Sequence, residues 1–214
     1  MNNLTHLLIQ LSEINLRYKE LSRISGDNFN VFNILDIQNL EKTHSKVIAE
    51  LLNPQGCHDS GDVYLKHFLS VIKVDDFQTV NVQVEKEKFV GKISSDEEEG
   101  GRIDIVITNH DSNNPIIIEN KIYARDGNKQ LVRYKNYNKN GKLYYLNLDS
   151  SKPSKESIGE LSPKKDFTII SYSDHILRWL DLCKKDSVDK PLIRETINQY
   201  INIVKVLTGK SSST

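Results

Sequence analysis

The chain has 214 residues, with 29 Lys or Arg against 29 Asp or Glu, so its formal net charge at pH 7 is +0. This balance excludes a protein that holds nucleic acid by bulk positive charge, and any polyanion contact has to be local. The length suits one domain, no apolar run approaches the roughly 20 residues of a membrane span, and Cys57 and Cys183 suit reduced thiols rather than a disulfide framework.

The start, Met1-Asn2-Asn3-Leu4, lacks the basic stretch of a secretory signal, so a soluble, cytoplasmic protein without membrane contact is expected. Leu4, Leu7, Leu11, Ile14, Tyr18 and Leu21 recur at steps of three and four, which predicts a helix ending near Gly26. Three heptads are marginal for a coiled coil, so the stripe is expected to dock on its own domain, with a homodimer as the open alternative. A second helix is expected from Leu40 to Leu52, stopped by Asn53-Pro54-Gln55-Gly56, and a third from Asp62 to Val74.

The period then changes. Val80, Val82 and Val84 alternate with Asn81, Gln83 and Glu85, as in a half-buried strand running toward Val90. Residues 91–101 break the pattern with the acidic run Asp96-Glu97-Glu98-Glu99, expected to be a solvated loop without chemistry. Ile103 to Ile107 and Ile116 to Ile118 predict two strands, antiparallel neighbours across the turn-rich segment 109–114. A polar helix over 127–138, strands over 142–148 and 167–170, and two helices complete the reading. Ser173 is the expected cap of a helix over 174–183, and Pro191 opens one running to Leu207. The six histidines read as surface or loop residues. The fold class is α/β (or α+β), a mixed central sheet flanked by helices, in one domain over 1–209. It comprises an N-terminal helix (1–26), a core (40–171) and C-terminal helices (173–209), followed by a fraying tail at 210–214.

Charged residues inside strands point to chemistry, because a buried carboxylate must be paired, protonated or metal-bound. Asp104 lies inside one apolar strand, and Glu119 ends the next. In a hairpin the two carboxylates converge. Period two puts Glu119 and Lys121 on one face and turns Asn120 away. Two acidic oxygens beside a backbone carbonyl suit Mg²⁺, and the adjacent lysine suits phosphodiester hydrolysis. No other Asp or Glu stands two positions before a Lys in this chain. The alternative is a cross-strand ion-pair set at a sheet edge. Between Lys121 and Lys142 seven basic residues face one acid, Asp126. Arg125, Lys129 and Arg133 are expected on one helical face with Gln130, Tyr134 and Tyr137 beside them, a pattern suited to a phosphate backbone. Glu41, in a helical first turn, either answers the helix dipole or reaches the metal site. No HExxH, Walker loop, GxSxG or GxGxxG is present.

Glu41-Lys-Thr-His-Ser45 with Leu51-Leu-Asn-Pro54 and His58, then Gly101-Arg-Ile-Asp104, Ile118-Glu-Asn-Lys121 and Gln130-Leu-Val-Arg-Tyr134, form one ordered set. It resembles the PD-(D/E)xK nuclease superfamily, in particular a bacterial branch with defence-associated members, over about residues 40–207. The resemblance implies an α-β-β-β-α-β core and Mg²⁺-dependent cleavage of nucleic acid, DNA in preference, with Mn²⁺ as a substitute, and a larger defence complex as a further partner. It implies Asp104, Glu119 and the Asn120 carbonyl as metal ligands, Lys121 as the water-orienting and charge-stabilising group, and Glu41 as the assisting acid. Gln130 and Tyr134 become the Q-x-x-x-Y element. Ile103 replaces the family's proline, and the segment Arg125-Asp126-Gly127-Asn128 departs from the pattern.

Overall fold

Residues 3–26 and 29–210 are described by the structure, a computed structural model, so the expected fraying of 211–214 lies outside the described residues. The chain divides into a unit of Met1–Asp36 and a unit of Ile37–Thr214. The first holds α1 (Asn3–Ser25) and a short α2 (Val31–Ile34), which Asn30 caps through its side chain onto the Phe32 and Asn33 N–H groups. The expected stripe of α1, Leu4, Leu7, Leu11, Ile14, Tyr18 and Leu21, lies within this helix. Leu8, Ile9 and Leu16 lie off the stripe, which leaves the helix without one well-defined apolar face.

The second unit is built on a five-stranded sheet. Its strands are β1 (Val82–Phe89), β2 (Arg102–Asn109), β3 (Ile116–Asn120), β4 (Lys142–Asn147) and β5 (Phe167–Ser171), in the order β1-β2-β3-β4-β5. Pairing is antiparallel from β1 to β3 and parallel from β3 to β5. Every residue of β3 is buried, as its continuous apolar run requires of a central strand. A carboxylate at its end therefore does not lie at a sheet edge, and the edge ion-pair alternative falls.

Helix α5 (Gln130–Tyr137) makes the crossover from β3 to β4 and packs Leu131 and Tyr134 on Val106, Ile117, Leu143, Tyr145 and Phe167. The other helices are α3 (Glu41–Leu52), α4 (Val63–Val71), a short α6 (Lys155–Ile158), α7 (Leu177–Lys185) and α8 (Pro191–Leu207). Helix α3 packs against β1 and β2, α4 against α7, and α7 against α8. Phe68 and Trp179 meet edge-on at 5.4 Å between centroids, with the indole N–H donating to the Tyr64 carbonyl. Pro191 opens α8 as expected, its missing N–H costing nothing in a first turn.

Three local readings are corrected. The polar helix begins at Gln130 rather than 127, because Lys129 is left-handed with φ 46°. Ser173 does not cap; the chain leaves β5 through a π-turn at Tyr172–Ile176 before α7. His44 and His58 are buried, and His58 Nε2 donates to the Asn53 carbonyl at 2.9 Å. Burial, first, lowers the His58 pKa, so the ring is neutral and helps hold the turn after α3.

Ile117 is fully buried at the centre of the sheet. Ile117→Ala is expected to cost about 2–5 kcal/mol in urea unfolding with little change in slope; a cost below about 1 kcal/mol would contradict this packing.

Candidate active site at the end of the central strand

The β2–β3 hairpin pairs Ile105 with Ile118, which sets Asp104 and Glu119 opposite one another one residue further on. Past this point the ladder is completed by a side chain, since the Asn120 N–H donates to Asp104 Oδ2 at 2.7 Å. On the other side of β3, the Lys121 N–H donates to the Leu146 carbonyl at 2.7 Å. The strand thus ends rigidly held between its neighbours.

Lys121 Nζ lies 2.6 Å from Glu119 Oε1 and 3.7 Å from Glu41 Oε1. Glu41, in the first turn of α3, accepts the Ile122 N–H on Oε2 at 2.8 Å. It therefore reaches the site rather than only facing the helix dipole. Gln130 Nε2, at the start of α5, donates to Glu119 Oε1 at 2.5 Å, and its Oε1 accepts the Gly127 N–H at 3.0 Å. The Tyr134 hydroxyl donates to the Arg102 carbonyl at 2.6 Å and lies 3.2 Å from Gln130 Nε2. The altered segment before α5 therefore does not displace Gln130.

Glu119 is 2% exposed, and its Oε2 has no hydrogen-bond partner. Burial first, and then the charge of Asp104, push its pKa well above the usual carboxylate value, against the pull of Lys121. Asp104 is raised to about 6, again chiefly by burial, with the Asn120 N–H and Lys121 opposing. Burial opposes the Lys121 charge as well, but the Glu119 and Glu41 carboxylates outweigh it and raise its pKa. Two carboxylates at this depth cannot both ionise without a counter-charge beyond the lysine. The unpartnered Glu119 oxygen requires a proton or a cation.

A hard divalent ion fits that requirement. Among the described residues no group of three or more His, Cys, Asp or Glu side chains is placed to hold a metal. The protein thus offers two carboxylates and neighbouring peptide oxygens, the sparse set that Mg²⁺ accepts when water and substrate complete its coordination.

The model of the PD-(D/E)XK nuclease superfamily matches residues 29–202. The chain belongs to this superfamily. No curated protein and no solved structure matches it. Its mixed sheet with flanking helices is the α/β, restriction-endonuclease-like fold of these nucleases. No helix among the described residues is long and apolar enough to cross a membrane.

The expected basic stripe is not formed in this nuclease-family chain. Arg125 and Lys129 precede α5, so they do not share a helical face with Arg133. Arg125 is exposed, whereas Arg133 and Tyr134 are buried at 6% and 2%. The acidic run is not a freely solvated loop either. Lys129 Nζ donates to Glu98 Oε1 at 2.9 Å and to the Asp96 carbonyl at 3.0 Å, Asn136 donates to the Glu98 carbonyl at 3.0 Å, and Asn128 to the Glu97 carboxylate. The like-charged run and the basic segment were legible singly, but their pairing over about 30 residues was not.

Asp104 adds a pH dependence of its own. Its folded-state pKa of about 6 lies above the ordinary 3.8. The folded protein therefore binds a proton that the unfolded chain has released, and the group's contribution to stability falls as pH rises from about 4 to about 6. Urea unfolding of wild type and Asp104→Asn across this window is expected to show wild type losing on the order of 2 kcal/mol relative to the variant. A constant difference would show that Asp104 titrates as an ordinary carboxylate.

Proposed function

We propose that this chain is a Mg²⁺-dependent nuclease that hydrolyses phosphodiester bonds of nucleic acid, with DNA as its substrate and Mn²⁺ as an alternative ion. The observation that carries this reading is the convergence of Asp104, Glu119 and Lys121 at the end of β3, with an unpartnered buried oxygen on Glu119. Asp104 and Glu119 would hold the ion, with the Asn120 carbonyl as a third donor. When bound, Mg²⁺ supplies Lewis acidity toward a phosphoryl oxygen and makes water more acidic.

The chain's own groups account for the rest. Lys121 remains an ammonium because Glu119 and Glu41 hold its proton. It therefore serves to orient the attacking water and to stabilise negative charge growing on the phosphoryl group, rather than to act as a base. Attack in line leaves a 5′-phosphate. Gln130 fixes the Glu119 carboxylate, and Glu41 holds the backbone at Ile122 while lending charge to Lys121. Arg125 and Lys129 meet the nucleic-acid backbone, and the buried Arg133 and Tyr134 shape the floor beside it. The free thiols Cys57 and Cys183 fit a cytoplasmic setting.

The test is cleavage of supercoiled plasmid, linear duplex and single strands in Mg²⁺, Mn²⁺ or EDTA. Cutting is expected with either ion, with none in EDTA. Asp104→Ala and Lys121→Met should each lower the rate by about a thousandfold or more. Mn²⁺ should raise the thermal midpoint of wild type and not that of Asp104→Ala. Full cutting by either variant would overturn the site. Salt-sensitive binding without turnover under every condition would replace the enzyme with a non-catalytic nucleic-acid-binding module on the same fold.

A further inference from the structure

The Asn120 peptide sits between the two charged groups of the site, and its N–H holds Asp104. Its side chain leaves on the opposite face of the sheet and is fully buried. There Nδ2 donates to Ser45 Oγ at 3.0 Å and to the Glu41 carbonyl at 3.2 Å, while Oδ1 accepts from the Tyr172 hydroxyl at 2.9 Å. Every hydrogen-bonding group of the amide is engaged.

The contacts continue inward. The His44 ring stands edge-on to the Tyr172 ring at 5.9 Å between centroids, and its Nδ1 lies 2.9 Å from the Tyr200 hydroxyl. Tyr172 has one hydroxyl hydrogen, and it is engaged on Asn120. At the other end Ser45 donates to the Glu41 carbonyl at 3.2 Å, so its oxygen accepts from Asn120. Asn120 on β3 is thus held by Tyr172 in the π-turn on one side and by α3 on the other, with the His44 ring against Tyr172 and Tyr200 on α8 bound to that ring. His44, Tyr172 and Tyr200 are 2%, 0% and 1% exposed. Phenylalanine would fill the space of either tyrosine, so the hydroxyls serve something other than volume. In a low-dielectric interior an unpartnered amide is costly, and acceptors at Nδ2 with a donor at Oδ1 leave Asn120 a single favourable orientation.

We infer that Tyr172 is a positioning residue for the Glu119–Asn120–Lys121 segment, acting through the Asn120 side chain, with Tyr200 and His44 as its supports. Only the kinetic consequence of this inference rests on the nuclease reading. It gives His44, Ser45 and Tyr172 a common purpose on the face of the sheet opposite the carboxylates, and it makes the C-terminal helices part of the site's geometry.

The experiment compares full-length wild type, Tyr172→Phe, Tyr200→Phe, Asn120→Ala and the Asn120→Ala/Tyr172→Phe double variant. In plasmid cleavage, Tyr172→Phe is expected to lower kcat about tenfold with KM within about twofold, and Tyr200→Phe to act in the same direction less strongly. The double variant should cut no more slowly than Asn120→Ala, because the tyrosine acts through the amide. Amide exchange measured by NMR reads the same geometry without activity. The Asn120 N–H should exchange about tenfold faster in Tyr172→Phe while the β5 amides of Ile169 and Ile170 keep their rates. If wild type cuts nothing, the nuclease reading fails and exchange alone decides the positioning. If Tyr172→Phe does not fold, Tyr200→Phe carries both readouts. An unchanged Asn120 exchange rate, an acceleration shared by β5, or additive kinetic losses would each overturn the inference.

Discussion

The contact between Lys121 and Glu119, at 2.6 Å on the end of a wholly buried strand, is the constraint on which the site depends. Neither charge could be placed there alone, since removing one partner leaves the other uncompensated in a poorly solvated interior. Even together they do not settle the charge balance, because Asp104 brings a second carboxylate to the same point. The surplus negative charge is what makes the place suited to a proton or a divalent ion. Surrounding groups hold this arrangement without neutralising it: Gln130 donates a neutral amide, Glu41 strengthens the lysine, and Asn120 offers its peptide N–H.

The sheet's mixed pairing explains why these groups meet. An antiparallel hairpin places residues opposite one another at a register set by its turn, and this brings Asp104 to Glu119. A parallel pairing needs a crossover, and this one carries α5, whose first residue lands beside the end of β3. Glu41 arrives separately, from the start of α3. The candidate site stands where the two kinds of pairing join, so each half of the sheet contributes some of its residues. The opposite face of β3 is polar only at Asn120, where α3 and the turn after β5 supply matching partners.

The neutral net charge has a structural counterpart near α5. Lys129, Asn128 and Asn136 donate to the segment 96–98, and Arg133 Nη1 donates to the Asn128 carbonyl. Part of the local positive charge is thus answered inside the fold. Exposed ion pairs such as Lys129 with Glu98 add little to stability at ordinary salt. Their effect is on which cations of this segment face outward, and Arg125 is one that does.

Much of the site was legible in the sequence. Acidic residues interrupting apolar strands identified Asp104 and Glu119, and period-two alternation placed Lys121 with Glu119 and turned Asn120 away, because strand geometry is local. The ordered blocks identified the superfamily, and they singled out Gln130 and Glu41, which the fold brings to Glu119 and to the Ile122 N–H. Local rules failed where distant segments compete with them. A left-handed Lys129 shortens α5, and a π-turn replaces the cap expected at Ser173. His44 was read as a surface residue, since its buried place depends on Tyr200, 156 positions away. The stripe of α1 was legible as a pattern. Sequence by itself determined which residue types stand at the ends of which strands. Only the tertiary structure decided which carboxylate lacks a partner, which cations are buried, and that the Tyr172 hydroxyl reaches Asn120, because burial and long-range hydrogen bonds depend on segments that meet only when the chain is folded.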